Sequence, residues 1–331
     1  MATLSGKYTL LDVAKTLDPD GSTAAVAELL NQDNEMLMDI PWMEGNLPTG
    51  HRITTRTGLP DVIWRKLNGG VPPSKATTAQ MDEACGMLEA RSEIDVKLAK
   101  LNGNTGSFRL LQATAFIEAM NQRMQQTMLY GDVNSVPESF TGLGPRFGAI
   151  AQGGANKANI IDAGGTGSNN TSIWLVGWGP NTVHGIYPKG TTAGLSHQDL
   201  GEGDAFDANG NRYRALMDLY GWDCGLALHD WRYVVRIANI DVNALSKNAS
   251  SGPDIIDLMT QATEMIHSMS GVTPAFYVNR RIRSFLRRQT VNKVASGTLS
   301  YDQVGGKPAV MFGEVPVRRV DALGIAETRI V

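Results

Sequence analysis

Histidine is the side chain best suited to hold a transition metal or to move a proton near neutral pH, and the chain has five: His51, His184, His197, His229 and His267. None stands at the spacing of a local metal motif such as HxH or HExxH. The sequence therefore predicts scattered structural or surface rings and no metal site. Two glycine-rich stretches invite comparison with phosphate cradles. Gly164 to Asn170 has no Lys-Ser/Thr after its last glycine, and Gly305-Gly306-Lys307 is followed by Pro308, which offers no hydroxyl for magnesium. No GxSxG elbow occurs, and His229-Asp230 reads as a partly exposed pair within a strand rather than as two members of a triad. Asp207-Ala208-Asn209-Gly210-Asn211 starts like a calcium loop but lacks the closing Glu, so it is read as a hairpin turn. Cys85 and Cys224 lie far apart with no CxxC partner, which fits reduced thiols and neither a disulfide nor a zinc site. No catalytic residue, cofactor or metal is expected. A hydrolase with an acid/base pair assembled in space from scattered carboxylates stays open as an alternative.

Charge is concentrated in one place. Arg280, Arg281, Arg283, Arg287 and Arg288 follow one another without an intervening acid, while Ile282, Phe285 and Leu286 fall on the opposite side. That is an amphipathic helix with a basic face, spanning Asn279 to Gln289. Its arginines are expected to meet acidic groups of a neighbouring subunit or DNA phosphate; the bland reading is a solvated face. The chain as a whole carries a net charge of -3 over 331 residues, which argues against a protein that works by gripping nucleic acid. Hydrophobic residues make up 42%, enough for a core, and the length suggests about two domains. The 36 glycines favour a β-containing protein with long connections over a helical bundle. Met1 to Thr16 lacks the apolar run of a signal peptide and no stretch approaches a membrane span. The sequons at Asn170 and Asn248 are accordingly read as chance matches.

The elements that carry these residues follow from periodicity. Ser22 to Met38 is amphipathic and runs into Pro41-Trp42-Met43, where helix must stop and an apolar cluster in need of a partner begins. Arg52 to Thr57, Val62-Ile63-Trp64-Arg65 and a run near Ser74 to Met81 favour strand, with a turn signal at Asn68-Gly69-Gly70-Val71-Pro72-Pro73. This segment is a long polar hairpin without a core, marginal unless it lies on another surface. Leu110, Ala113, Ile117, Met120, Met124 and Met128 recur at three- or four-residue spacing, predicting a helix over Ser107 to Tyr130 with Gly131 at its end. A loop-rich stretch follows, then strands at Ser172 to Trp178, Thr182 to Tyr187 and the run Cys224 to Val242. The last eighty or so residues form an α/β unit: a helix from Ile255, a strand Pro274 to Val278, the basic helix, and a pair of strands from Ala309 to Val320 around a tight turn.

This order of parts resembles the Hong Kong 97 capsid fold. Asn46-Leu47-Pro48-Thr49-Gly50-His51-Arg52 and the stretch from Ser172 to Gly190 are similar to major capsid proteins of short-tailed phages of the epsilon and Bordetella types; Val310 to Leu323 is similar to the hairpin of the family's A-domain. The resemblance implies an α+β fold with an N-terminal arm over 1–45, an E-loop hairpin over 46–98, a spine helix over 99–132, P-domain strands over 133–250 and an α/β A-domain over 251–331. The P-domain strands then precede the A-domain, so a rearranged topology is expected. It implies a major capsid protein assembling in the host cytoplasm into hexamers and pentamers of an icosahedral virion shell around double-stranded DNA, with a cement or decoration protein, a portal and a scaffold as further partners and no membrane. The alternative in the same fold is an encapsulin-type compartment shell. Trp42, Arg52, Arg56, Arg65, Lys66 and Lys75, with the five arginines of the basic helix, are the candidate subunit-interface residues.

Overall fold

The computed structural model describes residues 32, 34–100, 105–150, 155–207, 209–245, 253–292, 299–304 and 307–331. Most of the amphipathic stretch from Ser22 lies outside them. Two compact units are present, one containing Met87–Gln125 and Gly194–Asp223, the other Asn34–Gly86, Gln126–Ala193 and Cys224–Val331.

The second unit is organised around strand β6 (Asn170–Trp178), in which all nine residues are buried. A strand covered on both faces reads as a continuous apolar run, as Ile173-Trp174-Leu175-Val176 does. On one side β6 pairs antiparallel with β10 (Val234–Asp241), and β10 in turn pairs with the short β5 (Ile160–Asp162). On the other side β6 pairs antiparallel with β11 (Thr273–Val278), which pairs in parallel with β14 (Val315–Arg319). The strands β12 (Leu299–Val304) and β13 (Lys307–Phe312) extend this edge. Phe312 pairs with Val315 across the two-residue turn Gly313-Glu314, where Gly313 has φ of 57°, a conformation glycine adopts without strain.

Two helices cover this sheet. Ile255–Met265 starts at Asp254, whose side chain accepts from the Ile256 and Asp257 N–H groups, and it buries Ile255, Met259 and Ala262. Arg280–Asn292 buries Ile282, Phe285 and Leu286. All six join one core with Ile173, Leu175, Val235, Ile237, Phe276, Val310 and Val317. The boundary expected at 250/251 therefore runs through a single sheet and a single core: β6 and β10 belong with the C-terminal strands.

The same unit holds β1 (Trp42–Glu44), parallel to β7 (Val183–Tyr187), and β7 pairs antiparallel with the end of the long strand β9 (Arg212–Leu228). The expected run Cys224 to Val242 is broken after Leu228 by a turn of 3-10 helix at Trp231–Tyr233, because the Asp230 carboxylate accepts from the Arg232 N–H and caps it. Trp231 and Tyr233 favour strand by type, but the cap decides.

In the first unit, β8 (Ser196–Phe206) pairs antiparallel with the start of β9, and Asp207 to Asn211 closes that hairpin, the Asp207 carboxylate accepting from the Asn209 and Asn211 N–H groups. The turn expected there is present. Strand β4 (Gly86–Asp95) also lies beside β9. Arg109 bridges Asp218 and Asp199 at 2.6 and 2.9 Å. Arg109 belongs to the long helix Thr105–Tyr130, whose span matches the expectation although its stripe does not. Met120, Met124 and Met128 are buried, whereas Leu110 and Ile117 are exposed and Phe108 is buried in their place.

Candidate functional site

Strands β2 (Gly50–Gly58) and β3 (Thr77–Ala84) form a separate two-stranded ribbon, paired from Gly50 opposite Ala84 to Gly58 opposite Thr77 with a register shift between Arg56 and Gly58. The ribbon is nearly coreless, with Ile53 and Glu83 its deeply buried side chains away from the first residue, Gly50. Val62-Ile63-Trp64-Arg65, expected as strand, lies instead in the connection 59–76, where a Lys66–Gly69 turn has Asn68 at φ of 62°. Strand propensity without a pairing partner does not make a strand. In this connection Trp64 is 100% exposed, Leu67 95%, Val62 91% and Leu59 79%, with Ile63 and Val71 exposed beside them. Isolated exposed apolar residues are ordinary, but this many in one loop are unusual on the surface of a soluble monomer.

The basic candidates sort into two groups. Arg52 spans the ribbon to Asp82, holding it by paired bonds of 2.7 and 2.8 Å. Arg56, Arg65, Lys66 and Lys75 are exposed and, among the described residues, have no ion-pair partner within the chain. On the basic helix, Arg280 bonds Asp321 at 2.8 Å and Arg283 bonds Glu35 at 3.2 Å, so these two are engaged within the chain. Arg281, Arg287 and Arg288 are exposed. Trp42 is half-buried and lies on Gly185 of β7, where an added Cβ would come within 2.5 Å of its ring, while its neighbour Met43 is exposed.

The base of the ribbon is latched. Arg146 donates to both oxygens of Glu83 at 2.6 and 2.7 Å, and further to the carbonyls of Gly142, Thr141 and Leu226. Both side chains are almost wholly buried, and bidentate geometry with the remaining donors satisfied is what a buried pair requires. A second buried cation, Arg236, donates to Glu327, Ser172 and the Phe147 carbonyl. Glu327 also accepts from Tyr130 and Ser172, fastening the C-terminal segment. Burial, with the neighbouring Glu327 charge, raises the Tyr130 pKa far above its usual range.

Spacing concealed one convergence. His51 on β2, His184 on β7 and His229 just after β9 come together, with ring centroids 5.0 to 5.8 Å apart. The His184–His229 pair is stacked. His184 is fully buried, and burial, followed by the neighbouring His229 and His51 rings, lowers its pKa to about 4. His229 is lowered as well, by burial first and then by His51, with Glu83 opposing. These are the three side chains among the described residues that converge as potential metal ligands. His197 and His267 stand apart from them, His197 bonding Asp218 at 3.0 Å. No pattern of local spacing reveals such a group, because its members come from three separate strands or strand ends.

A family model described as "Major capsid protein GP7" matches residues 18–331. Among solved structures, a chain of bacteriophage Epsilon15 is 32% identical with a TM-score of 0.78, covering 100% of this chain and 99% of that one. The capsid of bacteriophage JBD30 is 10% identical at a TM-score of 0.49 over 89% and 93% of the two chains. The SrpI encapsulin of Synechococcus elongatus PCC 7942 is 10% identical at 0.44 over 70% and 95%. These last two likenesses are too slight to bear on function. No curated protein matches.

Proposed function

The chain belongs to the GP7 family of major capsid proteins, and from that premise we propose that its copies form the hexamers and pentamers of an icosahedral phage shell, joined through the hairpin tip. It is a phage shell protein of the Hong Kong 97-like α+β fold. The proposal adds how the copies hold one another. The observation that carries it is the connection 59–76, whose Leu59, Val62, Trp64 and Leu67 are exposed with no cover among the described residues. Burying side chains of this size contributes about 1.5–3 kcal/mol each, a gain open to the loop only on another molecule. In a closed lattice that molecule is a second copy, and each subunit gives and receives one loop. Arg56, Arg65, Lys66 and Lys75 border the apolar residues and are read as pairing with acidic groups across the seam. Arg281, Arg287 and Arg288 are read as a second contact of the same kind. Multiple weak contacts per subunit then hold the shell by avidity.

In this reading the shell encloses double-stranded DNA without binding its sequence, consistent with the net charge of -3. It is built in the host cytoplasm with a portal, a scaffold and a cement protein as partners. The subunit acts as a structural element without catalysis. The test is to replace 59–76 by a short Asn-Gly turn and to follow assembly by size exclusion and negative-stain microscopy. The variant is expected to remain folded and soluble but to form no shells. Normal shells from it would overturn the hairpin's role. Nuclease-protected DNA in wild-type particles would distinguish a virion from an enzyme-filled compartment.

A further inference from the structure

We infer that His51, His184 and His229 form a binding site for one divalent transition-metal cation of the zinc class, which pins the base of the hairpin to the sheet. One nitrogen from each ring lies within 4.8 Å of the other two, so all three can face a common centre. Zinc–imidazole bonds of about 2.0–2.1 Å place tetrahedral ligand atoms ~3.4 Å apart. The rings thus need to close by up to roughly 1.4 Å, a movement within reach of side-chain rotation.

Hydrogen bonding points the same way. Among the described residues, both ring nitrogens of the buried His184, and Nε2 of His229, make no hydrogen bond of good geometry, the Gly179 backbone acting only as the smallest influence on the His184 ring. Buried polar atoms are paired in the great majority of cases, and packing of three neutral rings as core aromatics does not account for these exceptions. A cation would use one lone pair from each ring. His51 Nδ1 now accepts a long 3.3 Å bond from the Asn46 N–H. That bond is given up on loading whichever nitrogen binds, since Nδ1 is then either the ligand or protonated.

Donor chemistry sets the class of ion. Three imidazoles and no carboxylate suit zinc, copper or nickel and disfavour magnesium and calcium. Glu83, the acid paired with His51 across the ribbon, is already committed to Arg146. His51 and His229 are partly buried and His184 is fully buried, and among the described residues no other side chain joins these three as a ligand. Because His51 is on β2 and His184 on β7, a bound cation crosslinks the hairpin base to the sheet. The site stands on these residues alone and does not depend on how the copies assemble.

The experiment uses the full-length protein, stripped with EDTA, desalted, and titrated with Zn2+ and separately with Co2+. Elemental analysis after gel filtration is expected to give one zinc per chain, Co2+ to show the visible bands of a tetrahedral site, and Zn2+ to raise Tm. The single variants His51→Gln and His229→Gln, at the two rings that are only partly buried, are expected to weaken binding by more than the ~10–100-fold that loss of an outer-shell group costs. His184→Asn should abolish it, and His267→Gln should leave it unchanged. Absence of bound zinc in the wild type, or uptake that survives His51→Gln and His229→Gln, would overturn the assignment.

Discussion

Arg146 and Glu83 face each other almost out of reach of solvent, and each oxygen of the carboxylate has its own N–H donor. Removing one partner leaves the other charge buried and unpaired, so Arg146→Ala is expected to cost about 3–5 kcal/mol of stability by denaturant unfolding. Pairing Arg146→Met with Glu83→Gln should cost clearly less than Arg146→Ala alone; equal costs would contradict the latch. The histidine cluster gives a second prediction, for protein freed of metal by chelator. The folded pKa of His184 is lowered from 6.5 to about 4, and His229 is lowered too. Between those values the unfolded chain binds protons that the folded chain excludes, so stability falls as pH drops from 6.5 toward 4. Above 6.5 both states are neutral and this dependence vanishes. The groups facing His184 are His229 and His51, and Glu83 opposes the shift at His229, so the comparison that isolates the effect is His184→Phe. Its Tm should decline less than that of the wild type over the same interval, and parallel declines would count against it.

At the scale of elements, β1 is held on β7 by a close approach that only glycine permits. A Cβ on Gly185 would meet the Trp42 ring at 2.5 and 2.7 Å and Ile40 at 2.9 Å. Gly185→Ala should displace Trp42, cost about 1–3 kcal/mol, and expose residues near Met43 to proteolysis; a variant as stable and as resistant as the wild type would show that the strand is held elsewhere. Much of this architecture was legible in the sequence. The long helix announced itself by its period, β6 by an unbroken apolar run, and the Gly313-Glu314 turn by the strands on either side. What failed to show is physically specific. Leu110 and Ile117 have the right spacing for a core stripe but are exposed, with nothing among the described residues to cover them. Val62 to Arg65 have the composition of a strand and no strand to pair with among the described residues. Arg280 and Arg283 look free in sequence, while their acids, Asp321 and Glu35, come from distant segments. The histidine cluster was hidden for the same reason: its members share no segment of chain.

As a whole molecule the chain carries little net charge and well-buried cores, yet presents one loop whose largest apolar side chains are exposed among the described residues. A monomer gains nothing from that arrangement, and a lattice of copies gains at every seam. The family to which the chain belongs makes the lattice a shell, and the central claim is that the 59–76 connection is what each copy lays on its neighbour. Cryo-electron microscopy of particles formed by the expressed chain tests this most directly. The expected result is a closed icosahedral shell in which Trp64 and Leu67 are buried against an adjacent subunit. A shell in which these side chains remain in solvent, or a chain that stays monomeric at every concentration, would contradict it.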